Sequence, residues 1–148
     1  MPLQTKSKIY FFFQKAVQLR DRTQLKKFIE SVFLREGKEL ESLNYIFCSD
    51  SQLRAINKRY LQHDYFTDIV TFELSGKNEP VAGEVYISVD RVRDNARALG
   101  LTFREELHRV IFHGALHLCG YKDKTQKEIG LMRTREDQSI RSYFRTKK

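Results

Sequence analysis

Apolar positions along the chain recur with two periods, and the switches between them divide it into short strands and helices. Ile9 to Phe13 is an unbroken apolar and aromatic run, the composition of a strand buried on both faces. From Asp21 to Arg35 the apolar residues Leu25, Phe28, Ile29, Val32 and Phe33 fall on one helical stripe, and Gly37 marks its end. Leu43 to Cys48 returns to a strand pattern. Ser49 and Gln52 form a capping box that opens a helix through Leu53, Ile56 and Tyr60. Thr67 to Leu74 is rich in β-branched residues and predicts a third strand, followed by a loop over 75–82 that holds Gly76 and Pro80. In 83–89, Val85, Ile87 and Val89 alternate with Glu84, Tyr86 and Ser88, which predicts a strand with one apolar face.

Three helices follow in the pattern. The first runs from Asp90 to Leu99 and stops at Gly100. The second opens on Thr102 and Glu105 and continues through Leu107, Val110, Ile111 and Leu118 to Gly120. The third opens on Thr125 and Glu128 and carries Ile129, Met132, Ile140, Tyr143 and Phe144. The order β-α-β-α-β-β-α-α-α predicts an α+β fold, a mixed four-stranded sheet covered by helices. With 148 residues and no long linker, one domain over 1–148 is expected.

Composition narrows the function classes. No apolar run approaches the ~20 residues of a membrane span, and the first eight residues carry no apolar signal core. A cytoplasmic protein without a membrane partner is therefore expected. Two cysteines, Cys48 and Cys119, do not make a disulfide framework. Two reduced, buried thiols are the expectation, although Cys119 stands near enough to His117 for a ligand role to be conceivable. The net charge is +8, from 27 basic and 19 acidic residues, which suits an anionic partner, nucleic acid first.

The candidate chemistry lies between Phe112 and Asp123. His113 and His117 are four apart in the second of the late helices, so both imidazoles stack on one face and can grip one metal ion. Gly120 allows a sharp turn that can bring Asp123 back as a third, oxygen ligand. Packed or surface histidines would show the same spacing. The crowding of three of the four histidines into 108–117 and the flanking Leu116 and Leu118 favour the metal. His108 points away from the pair and is assigned to the surface. Glu106 falls on the stripe of His113 and could accept a hydrogen bond from it, but a solvated charge near the helix start is the expected reading. Zincins place a general-base Glu directly after the first His; here that residue is Gly114, which disfavours a peptidase.

At these residues the sequence resembles the YbeY family of endoribonucleases, bacterial rRNA maturation factors. His113-Gly-Ala-Leu-His117-Leu-Cys-Gly120-Tyr121 matches the family's H-G-x-L-H-L-x-G-Y signature. The stretch from Asn57 through Tyr60, Asp64, Thr67, Asp68 and Thr71 to Phe72 is similar to N-x-x-Y-R-x-x-D-x-P-T-D-V-L-S-F, and Gly83 to Ser88 to G-D/E-I-x-I-S. The resemblance implies a metal-dependent endoribonuclease acting on single-stranded rRNA near the 3′ end of the small-subunit rRNA. It also implies work with the ribosome, ribosome quality control included, and no DNA substrate. The implied ligands of one divalent ion, zinc first, are His113 and His117, with Asp123 where the family's third His stands. They would act through the metal-bound water.

The departures matter. Leu61 occupies the position of an Arg thought to assist catalysis, and Lys58 or Arg54 on the same helix could supply a cation instead. Phe66 stands where the family has Pro. Asp64, Thr67, Asp68 and Thr71 are candidate cleft residues, although Thr67 and Asp68 could simply cap the strand. Tyr121 either stacks on a base or packs against the ligand loop. Two other classes stay open: a non-catalytic ribosome-assembly or RNA-binding factor with a structural metal, and a metal-dependent hydrolase of another substrate.

Overall fold

In the computed structural model, which describes residues 7–63 and 67–145, the elements follow the predicted order. They are β1 (Ile9–Phe13), α1 (Arg22–Arg35), β2 (Leu40–Cys48), α2 (Asp50–Leu61), β3 (Ile69–Glu73), β4 (Val81–Ser88), α3 (Val89–Leu99), α4 (Phe103–Leu118) and α5 (Gln126–Arg145). The four strands form one mixed sheet in the order β1-β2-β4-β3. β1, β2 and β4 run parallel, and β3 is an antiparallel edge strand on β4. None of the described helices is long and apolar enough to cross a membrane.

Strand alternation divides the apolar residues between two cores. Ile9, Leu43, Tyr45, Phe47, Val85 and Ile87 join α1, α4 and α5 on one face, whereas Cys48, Leu53 and Val70 form a smaller cluster with Phe72 and Tyr86 beneath α2. β1 departs from the two-sided burial predicted for it. It is an edge strand, and Tyr10 and Phe12 are exposed on the face opposite Ile9. Apolar composition alone does not distinguish such a strand from a buried one. β2 and β4 begin earlier than their sequence patterns, because Leu40 pairs with Val81 in the parallel ladder.

The predicted caps are present. Ser49 and Gln52 make the full capping box, Thr102 Oγ1 accepts from Glu105 N at 3.0 Å, and Thr125 and Glu128 bond reciprocally. Both cysteines are free and buried, and burial pushes each thiol up to about 12.

α4 lies close on the sheet because glycine removes side chains on both sides of the contact. A Cβ at Gly114 would stand 2.9 and 3.0 Å from the two Val85 methyls, and one at Gly83 would stand 2.8 Å from Leu118 Cδ1 and 3.1 Å from the Phe72 carbonyl oxygen. The buried Tyr45 hydroxyl donates to the Ile111 carbonyl at 2.8 Å and pins the middle of the helix. This close seat places His113 and His117 beside the β3 edge.

Candidate active site

α4 ends in a Schellman turn: Tyr121 N donates to Leu116 O at 3.1 Å, Gly120 N donates to His117 O at 3.0 Å, and Gly120 takes φ +111°. That reversal returns the chain toward α4, and Asp123 Oδ2 comes to 3.3 Å from His113 Nε2. The other ring nitrogen, Nδ1, donates to Glu136 Oε2 at 2.6 Å. Glu136 lies on α5, is 5% exposed, and its second oxygen meets Arg109 Nη1 at 3.4 Å. Burial alone would lower the pKa of His113, but the hydrogen bond and charge of Glu136, with Asp123 and Asp68 adding to them, raise it.

Two clefts meet at this imidazole. The first, about 340 Å³, includes Asp68, Glu106, Arg109, Arg133 and Glu136 in its walls. The second, about 220 Å³, includes Asn57, Leu61, His63, Thr71 and His117. Thr67, Ile69, His113 and Asp123 belong to both. The structure thus brings together six of the sequence candidates: His113, His117, Asp123, Thr67, Asp68 and Thr71. Burial raises the pKa of Asp68, which favours its neutral form. Asp64 and Phe66 lie outside the described residues.

Other candidates lie elsewhere. Lys58 is exposed on α2 and lines neither cleft; Asn57, beside it in sequence, is buried and lines the second cleft with His117. Tyr121 donates its hydroxyl to Glu36 at 3.0 Å and lines a separate depression with Cys119 and Lys122. Two assignments are corrected. His108 is not on the surface: it is buried, its ring stacks on Tyr143, and its Nδ1 lies 2.7 Å from the Arg104 carbonyl oxygen. Glu106 is not solvated either. It is buried beside Arg109, and burial, with the charge of Asp68, raises its pKa. In both cases the cause is α5, which packs over α4 and covers faces that helical periodicity alone leaves open to water.

Glu136, Arg109 and His63 were not among the sequence candidates. Glu136 had a signal: a carboxylate on the stripe Met132, Glu136, Tyr143 stands where a buried residue is expected. His63 and Arg109 had none, because their places depend on how α2 and α5 pack.

The donor set can be tested against a metal ion. Two ligands at ~2.0–2.1 Å from a tetrahedral ion stand roughly 3.3–3.4 Å apart, the spacing of His113 Nε2 and Asp123 Oδ2. A histidine whose other nitrogen donates to a carboxylate is the usual ligand arrangement. Among the described residues no three His, Cys, Asp or Glu side chains are placed together closely enough to hold an ion. His117, the remaining donor of the expected set, is exposed in the second cleft, one helical turn from His113. In donor type and in the orientation of His113, the residues fit.

Comparison with known proteins gives consistent matches over most of the chain. A family model described as endoribonuclease YbeY matches residues 10–143. A protein of Cytophaga hutchinsonii named endoribonuclease YbeY is 45% identical over 137 residues, covering 91% of this chain and 96% of that protein. One of Porphyromonas gingivalis with the same name is 47% identical over 114 residues, covering 77% of this chain and 75% of its own. The solution structure of TM1509 from Thermotoga maritima superposes with a TM-score of 0.62 at 26% identity, covering 94% of this chain and 93% of that one.

Proposed function

The chain belongs to the endoribonuclease YbeY family, and from that premise we propose that it is a metal-dependent endoribonuclease of single-stranded rRNA. Its proposed substrate is the region near the 3′ end of the small-subunit rRNA, its partner the ribosome or its small subunit, with a part in ribosome quality control, and its setting the cytoplasm. The observation that carries this reading is the position of His113. One nitrogen is held by Glu136 and the other faces Asp123 at 3.3 Å, in a cleft that also contains His117.

His113, His117 and Asp123 would hold one divalent ion, zinc first. When bound, such an ion polarises a phosphate oxygen and acidifies water. The chain's own residues supply the rest. Thr67 and Thr71 offer hydroxyls along the β3 side of the cleft, and Arg133 offers a guanidinium from α5 to an RNA phosphate. Arg109 is engaged by Glu136 and Asp137, so it shapes the wall of the site. The net charge of +8 favours RNA over neutral substrates.

One observation favours a second reading, a non-catalytic RNA-binding factor of the ribosome. Leu61 lines the cleft at the position of the family's Arg, and Lys58 is exposed and outside the cleft lining. A single assay separates the two. Purified protein is incubated with single-stranded RNA spanning the small-subunit 3′ end, with and without added zinc, beside a His117→Ala control. Zinc-dependent cleavage lost in the variant supports the enzyme; binding without cleavage under every metal tried supports the binding factor.

A further inference from the structure

Arg109 and His113 stand one turn apart on the same face of α4, and Glu136 of α5 meets both, one carboxylate oxygen to each. Oε2 accepts from His113 Nδ1 at 2.6 Å, and Oε1 from Arg109 Nη1 at 3.4 Å. Arg109 is anchored in turn by Asp137 Oδ1 at 2.7 Å. Glu136 is 5% exposed, within the buried stripe of Met132 and Tyr143. A carboxylate in such a position costs stability unless charged partners satisfy it, and here a cation and an imidazole do so together.

We infer that Glu136 is a positioning residue, which fixes the His113 ring as its Nδ1–H tautomer with the Nε2 lone pair toward Asp123, and that Arg109 orients Glu136 for this task. The structural basis is directional. Carboxylates face both ring nitrogens and each can only accept, so the single proton of a neutral His113 goes to the closer one: Nδ1 lies 2.6 Å from Glu136, whereas Nε2 lies 3.3 Å from Asp123. The use to which Nε2 is put rests on the metal-dependent reading above; the tautomer itself is a property of the metal-free protein.

Long-range proton–nitrogen correlation spectra of metal-free wild type, Glu136→Gln and Glu136→Ala, taken where the spectra show a neutral His113 ring, read the tautomer directly. Zinc affinity by competition with a chelating dye and melting temperature are measured on the same samples. The wild type is expected to show the Nδ1–H form. Glu136→Gln is expected to keep it, because the amide oxygen still accepts, and to bind zinc more tightly than Glu136→Ala. Glu136→Ala is expected to shift toward Nε2–H and to lose about 10–100-fold in zinc affinity. A Glu136→Ala variant that melts lower but keeps both the wild-type tautomer and its zinc affinity would overturn the inference and leave Glu136 a strut between two helices. If the wild type binds no zinc, the metal-dependent reading fails, while the tautomer comparison still decides the role of Glu136.

Discussion

The seat of α4 on the sheet gives the sharpest stability test, Gly114→Ala. In an exposed helix interior this change stabilises, because Ala is favoured over Gly by about 1 kcal/mol. Here the added methyl would stand 2.9 and 3.0 Å from the Val85 methyls and 3.3 Å from Ile69 Cδ1. Val85 is fully buried in a strand paired on both sides, and its β-branched side chain is stiff, so it cannot swing away. Overpacking of this kind costs about 1–3 kcal/mol. Helix retreat is opposed by the Tyr45 hydroxyl on Ile111 and by Leu118 seated against Gly83. With packing strain at the upper part of that range, the net loss is about 1–2 kcal/mol, or roughly 3–6 °C in Tm for a domain this size.

Gly130→Ala is the matched control. It makes the same change within α5, where a Cβ meets nothing within 4 Å, and should gain about 0.5–1 kcal/mol. Urea and thermal unfolding of the two variants beside wild type test the argument. A Gly114→Ala protein as stable as wild type, or both variants shifting the same way, would refute the claim that glycine is required by the α4–sheet approach.

Further outcomes follow from other contacts. Tyr45→Phe removes the buried hydroxyl from the Ile111 carbonyl and should cost about 1 kcal/mol in urea unfolding, with no change in RNA binding. Zinc should raise the Tm of wild type and do so far less for Asp123→Ala, read by thermal shift; equal shifts in both would remove Asp123 from the ligand set. Cys48 and Cys119, raised from 9.0 to about 12 chiefly by burial, should resist alkylation in the folded protein at neutral pH and react on unfolding; rapid folded-state labelling of both would contradict their burial. The same shift has a stability sign. Between about pH 9 and 12 the unfolded thiols lose protons that the folded ones keep, so folding weakens as pH rises through that window, and Cys119→Ala should flatten the alkaline loss.

Local and periodic information was legible in the chain. The capping boxes announced α2 and α5, and the Thr102 cap announced α4, since a cap is made within four residues. The element order followed from the switches between a period of two and one of 3.6. The pairing of His113 with Asp123 was legible because helix spacing and one positive-φ glycine suffice to bring them together. Tertiary packing alone decided which faces are buried twice. The sequence of β1 reads as a central strand, yet its place at the sheet edge exposes Tyr10 and Phe12. His108 and Glu106 read as surface residues until α5 covers α4. Glu136 of α5 reaches His113 of α4 across 23 positions, and Arg109, one turn before His113 on α4, completes the contact. No period of the chain encodes that meeting, because it depends on the angle and register at which two helices pack.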